Sequence, residues 1–163
     1  MFIKMKAIEL SVDPVTNIPF VLLANKSGKF TIPIWIGLFE ASAIATVLED
    51  IKLERPMTHD FIKTMLNKLE VNVESVEIAD ILDNTYYAFI NLKKGRKKIR
   101  LDLRPSDAIA IALREKAEIL VNKKLLTFDK PVDPKKAGRS QDAAKWRDLL
   151  KELSENEFGK YKM

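Results

Sequence analysis

Glu40, His59, Asp60, Asp102 and Asp107 are the side chains of this sequence whose types suit acid–base or metal-assisted chemistry. Metal-assisted phosphodiester cleavage needs carboxylates that converge on Mg2+ or Mn2+, ions that take oxygen ligands and keep positions open for phosphate and water. Glu40, Asp102 and Asp107 are the candidate ligands of such a divalent cation. His59, beside Asp60, is a candidate general base or ligand. Arg55 and Arg104 each precede a proline at an expected helix start, and Ser106 follows the second. Their guanidinium groups suit either a phosphate or an internal carboxylate clamp. Spacing alone does not choose between uses, because an acidic residue in the first turn of a helix also stabilises that helix by about 0.3 to 1 kcal/mol. Glu40, Asp60 and Asp107 all occupy such places.

The elements that must position these residues centre on the stretch 99–114. Ile99, Leu101 and Leu103 alternate with Arg100, Asp102 and Arg104, the period of a half-buried strand. Pro105, Ser106 and Asp107 then open a helix whose small apolar residues run from Ala108 to Leu113. A similar corner occurs earlier, where 31–36 leads through Gly37 into Glu40-Ala41-Ser42-Ala43-Ile44-Ala45. The pattern acid, Ala, X, Ala, Ile, Ala recurs at Asp107 and predicts an internal duplication.

The rest of the chain fits that order. Strands are expected at 2–12, 19–24 and 29–36, with Gly28 in a turn, followed by helices at 38–51 and from Thr58 as N-cap. The strand 2–12 changes phase midway, from Ile3, Met5 and Ala7 to Ile8, Leu10 and Val12. Strands at 70–79 and 85–92, with a turn at 80–84, precede the central strand. A short strand at 119–121 follows the second helix. The expectation is an α+β fold of duplicated β3α2 units forming one mixed, barrel-like sheet with packed helices. It covers 1–122, with halves at about 1–69 and 70–122. The remainder, 123–163, reads as a tether and a C-terminal helix capped by Ser140 or Asp142. Its apolar stripe of Trp146, Leu149, Leu150 and Leu153 needs a partner, in the same subunit or in a second copy. A homodimer is expected on that ground.

Composition removes several function classes. With no Cys and one His, zinc–cysteine sites and cysteine nucleophiles are excluded. Five scattered glycines make neither a dinucleotide fingerprint nor a phosphate loop, so no nucleotide or flavin cofactor is expected. No stretch approaches the roughly 18 apolar residues of a membrane span, which points to a cytoplasmic protein with no membrane partner. Charged residues make up 31% of the chain, a thermophile-like composition. The net charge of +5 is local: Lys93, Lys94, Arg96, Lys97, Lys98 and Arg100 carry six positive charges, leaving 5 − 6 = −1 elsewhere. That basic tongue is the candidate contact for a nucleic-acid backbone. Trp35, Tyr86 and Tyr87 could stack on bases, although alternating aromatic residues more often face a core.

The motifs Ile32-Pro33-Ile34-Trp35-Ile36-Gly37 with Glu40-Ala41, Arg55-Pro56 with Thr58-His59-Asp60, Tyr87-Ala88, and Asp102 with Arg104-Pro105-Ser106-Asp107-Ala108-Ile109-Ala110 together resemble the bifunctional nuclease (DNase-RNase) domain family. The C-terminal Trp146-Arg147-Asp148-Leu149-Leu150 is also similar to the family's tail, and a member without the UVR-like extension of many relatives is expected. The resemblance implies a duplicated β3α2 fold and hydrolysis of both DNA and RNA without base specificity. It supplies no agreed catalytic set. The alternative is a dimeric, non-catalytic binding or scaffold protein whose basic hairpin touches nucleic acid.

Overall fold

A computed structural model of the chain describes residues 1–126 and Asp148. The elements run β1 (Phe2–Val12), β2 (Pro19–Ala24), β3 (Thr31–Trp35), α1 (Leu38–Leu48), α2 (Thr58–Lys68), β4 (Asn72–Leu82), β5 (Thr85–Lys94), β6 (Lys97–Leu103), α3 (Pro105–Glu115) and β7 (Glu118–Asn122), ending in a 3-10 turn at Lys123–Leu125. The fold is α+β, with three helices among the described residues. The expected tether and C-terminal helix lie outside those residues from 127 onwards, Asp148 apart.

One mixed sheet of seven strands has the order β3-β2-β1-β7-β4-β5-β6. Only β4 and β7 are parallel. The edges β3 and β6 are not paired with each other, so backbone bonding leaves the sheet open rather than closed into a barrel. The order β-β-β-α occurs twice, as β1 to α1 and β4 to α3. The fifth element departs from two β3α2 units: it is helix α2 in the first half and strand β7 in the second. β7 enters the sheet centre between β1 and β4, joining the two three-stranded groups.

Local chemistry accounts for the joints. The phase change in β1 is a register shift between Ala7 and Glu9, which lets both Met5 and Leu10 reach the core. Asp83 and Asn84 both have positive φ, the pair that a two-residue hairpin turn needs between β4 and β5. The strand therefore runs through Asp80 to Leu82, which periodicity had placed in the turn. All three helices stop alike. Asp50, Glu70 and Lys116 take positive φ, and the next residue's N–H bonds back to Thr46, Leu66 and Ala112 respectively. This ends α1 at Leu48, short of the expected Ile51. The N-cap of α2 is Met57 rather than Thr58.

Helix α3 packs on β4, β5 and β7 and touches both other helices, while α1 also packs on β1 and β2. Ala41, Ala43, Ala45, Ala108, Ala110 and Ala112 are all buried. Small side chains on both helices let their backbones approach closely. Helices α1 and α3 meet along one interface. Glu40 and Asp107, each the third residue of its helix, are carried to the same end of it.

Candidate functional site

Arg104 joins the two helix starts. It is the N-cap residue of α3, held extended before Pro105, and its side chain turns back over the first turn. Its Nε donates to Asp107 Oδ2 at 2.7 Å and its Nη2 to Asp107 Oδ1 at 3.1 Å. Its Nη1 reaches Glu40 Oε1 at 2.8 Å. One guanidinium therefore bridges the two equivalent acids. Glu40 is placed by Gly37, because a Cβ there would lie 2.2 Å from Glu40 Oε2. The Arg104 side chain remains 65% exposed, and two of its five N–H groups have no partner among the described residues.

Helix α2 brings the imidazole. His59 Nε2 lies 3.0 Å from Asp107 Oδ1, with the His59 side chain 12% exposed. Burial pushes the Asp107 carboxyl up, but hydrogen bonds from Arg104 and His59 outweigh it and hold the group below the usual carboxylate range. Asp107 is thus an ionised acceptor, and the His59 tautomer that donates from Nε2 to it is the one that carries no proton on Nδ1.

Asp60, next in sequence, faces elsewhere. Its Oδ2 accepts from the Met57 N–H at 3.0 Å and its Oδ1 from Arg114 Nε at 2.6 Å. Arg114 is buried, and it also donates through Nη1 to the Ala43 and Ala110 carbonyls and through Nη2 to Thr46 Oγ1. It ties α1, α2 and α3 together. Sequence reasoning passed over Arg114, although the charge sits one turn after Ala110 on an otherwise apolar helix face.

Burial also pushes the Asp60 carboxyl up, and the Arg114 and Met57 bonds bring its net position below the usual range. A folded value below the unfolded one gives stability that is complete above about pH 4 and is lost as pH falls through the folded value. Asp60→Asn is therefore expected to lose less stability than the parent protein when urea midpoints are followed from about pH 5 down to about pH 2. A parallel decline in the two proteins would refute this linkage.

The other candidates are dispersed. Asp102 projects from β6 without a hydrogen bond or ion pair among the described residues, and Ser106 is buried in the first turn of α3. Arg55 is exposed before α2 and makes no side-chain hydrogen bond or ion pair among the described residues. Among the described residues, no group of three or more His, Asp or Glu side chains is arranged to hold a metal ion. Glu40 and Asp107 already face a guanidinium, whose charge a divalent cation would have to displace. In this arrangement the pair does not fit a resident cation, and Asp102 does not join it.

The basic tongue is partly neutralised. Lys93 and Lys98 lie 3.7 Å and 3.8 Å from Glu74. Arg100 bonds Glu77 at 2.9 Å and lies over the Phe89 ring at 3.5 Å. Lys94, Arg96 and Lys97 remain at the turn. Trp35 and Tyr87 are substantially exposed rather than core, Trp35 packing beside Phe20, and Tyr86 is half-buried.

Comparison with known proteins gives a match between residues 21–131 and the model of the bifunctional nuclease domain. The chain belongs to that family. A Mycobacterium tuberculosis relative, described as an uncharacterized protein, is 30% identical over 162 residues, covering 95% of this chain and 97% of the relative. Arabidopsis thaliana Bifunctional nuclease 1 is 30% identical over 115 residues, 68% of this chain but 35% of the plant protein. Bifunctional nuclease 1 of Oryza sativa subsp. japonica is 29% identical over 116 residues, with the same 35% coverage. The chain thus spans about a third of the plant proteins' length. Both acids, the imidazole and Arg104 fall within the matched region of the bifunctional nuclease family. None of the described helices is long and apolar enough to cross a membrane.

Proposed function

We propose that the Arg104 corner binds and hydrolyses phosphodiester bonds of both RNA and DNA without reading base sequence. The observation that carries this is Asp107, which holds a base, His59, and an exposed phosphate anchor, Arg104, on the same carboxylate. The two outward N–H groups of Arg104 take the non-bridging phosphate oxygens. His59 Nδ1 removes a proton from water, the resulting hydroxide forms the new P–O bond, and the bond to the leaving oxygen breaks. The proton on the imidazolium then passes to that leaving oxygen. Contacts confined to phosphate explain indifference to base. The plant relatives are bifunctional nucleases by name, which supports hydrolysis of nucleic acid. No step is routed through a divalent cation, because Arg104 fills the place between the carboxylates.

A binding or scaffold role is favoured by one observation: Glu40, Asp60 and Asp107 are all engaged by arginines. Cleavage of end-labelled single-stranded and duplex DNA and RNA, each with Mg2+, Mn2+ and chelator, separates the two. Hydrolysis that survives chelation supports the Arg104 corner. Hydrolysis only with metal would require Arg104 to leave the acids, and no hydrolysis of any substrate would leave the binding role.

Whichever role holds, nucleic-acid affinity should depend on the three tip cations that have no ion pair among the described residues. Each phosphate contact contributes about −0.9 to the slope of log K against log salt on duplex. Replacing Lys94, Arg96 and Lys97 by Ser is expected to reduce that slope by about 2 to 3. An unchanged slope would place the contact elsewhere.

A further inference from the structure

The two edges of the sheet are guarded unequally. In β3, Ile36 N bonds Pro19 O, so alternation turns the backbone of Pro33 towards the open edge, where a missing N–H discourages another strand. β6 has no such guard. The two-residue turn Gly95-Arg96 makes Lys94 and Lys97 a hydrogen-bonded pair. Ile99, Leu101 and Leu103 then bond β5, and the N–H and C=O groups of Lys98, Arg100 and Asp102 face outward. Leu101 is 49% exposed on the strand, and Asp102 beside it has no partner among the described residues.

We propose that a second copy of this chain pairs antiparallel along β6, with the twofold axis at Leu101. That register sets Arg100 against the partner's Asp102, and Asp102 against the partner's Arg100. Leu101 meets its own copy, and Ile99 meets the partner's Leu103. Registers centred on Arg100 or Ile99 instead oppose like charges, Arg100 to Arg100 or Lys98 to Arg100. One pairing thus satisfies the orphan acid, the exposed Leu and the open backbone edge.

The pairing also unites two features that one copy keeps apart. β6 runs from the basic turn to the Arg104 corner, a span of about 20 Å. Antiparallel addition places the partner's Lys98 opposite Arg104, with its basic turn just beyond. The corner itself holds one guanidinium against two carboxylates, so cations from the second copy supply the charge that a polyanion needs. This placement rests on the nuclease reading of the corner, whereas the strand pairing does not.

Leu101→Cys tests the pairing without any activity assay, because the chain has no other Cys. A non-hydrogen-bonded antiparallel pair sets its Cα atoms about 4.5 Å apart, within disulfide range. Mild oxidation is expected to give a covalent dimer at Leu101→Cys and none at Lys98→Cys, whose twin lies about 20 Å away in this register. Arg100→Asp and Asp102→Arg should each run at the single-chain mass of 18.6 kDa in light scattering, and their equimolar mixture at twice that mass. Equal cross-linking at both positions, or an Asp102→Arg protein that associates as the parent does, would overturn the proposal.

Discussion

Replacing Arg104 by Ala is expected to slow phosphodiester cleavage by about 10²- to 10³-fold, the cost of removing a preorganised donor at developing charge. Two losses combine. The phosphate loses its anchor, and Glu40 and Asp107 face each other with no cation between them, which repels a polyanion. Arg104→Lys should recover part of the rate, because the charge returns but the fork that spans two carboxylates does not. The folded state should change little, since the Arg104 side chain is largely exposed and such pairs contribute about 0 to 1 kcal/mol. Steady-state rates and urea midpoints for the three proteins check this. A rate within threefold of the parent at unchanged stability would remove Arg104 from the reaction.

Arg114→Ala should have the opposite profile, a large loss of stability. Its side chain is 4% exposed, and its guanidinium is shared among Asp60, Thr46 and two helix carbonyls. Truncation leaves the Thr46 and carbonyl acceptors unpaired in the packed region between three helices and takes the cation from Asp60, itself 37% exposed, at a cost of about 3 kcal/mol. A fall in Tm of about 10 °C is expected for a chain of this size. Arg114→Lys should fall between, keeping charge without the multiple directed donors. A calorimetric Tm within about 2 °C of the parent for Arg114→Ala would show that the three helices do not depend on this tie.

Much of the fold was legible because it is written in local period. The phase slip in β1 marked its bulge, and the strand-to-helix change at Pro105 fell at the observed start of α3. The two Ala patterns marked two buried helices, which pack against each other. The position of β7 was not legible. A five-residue apolar strand carries no local sign that it will enter the sheet centre parallel to β4. Asp80 misled because its residue type suits turns, whereas the positive φ values sit at Asp83 and Asn84.

The site was half visible. Residue types singled out Glu40, His59, Asp107 and Arg104, and the fold brings all four together. Type could not say that the acids would face a guanidinium rather than converge with Asp102, because a carboxylate suits a metal and an arginine equally. Arg114 stayed hidden inside an apolar run, where only its burial reveals its use. Gly37 has an ordinary φ of −73°, so its need for space appears only when Glu40 folds over it.

The most direct test is the initial rate of hydrolysis of a labelled single-stranded RNA and the matching DNA by parent and His59→Ala proteins, purified identically and assayed in chelator. With His59 as base, the parent should cut both strands and His59→Ala should be slower by about 10²- to 10⁴-fold at a temperature and urea concentration where both proteins are folded. Equal rates from the two folded proteins would contradict a cleavage site at the His59–Asp107–Arg104 corner.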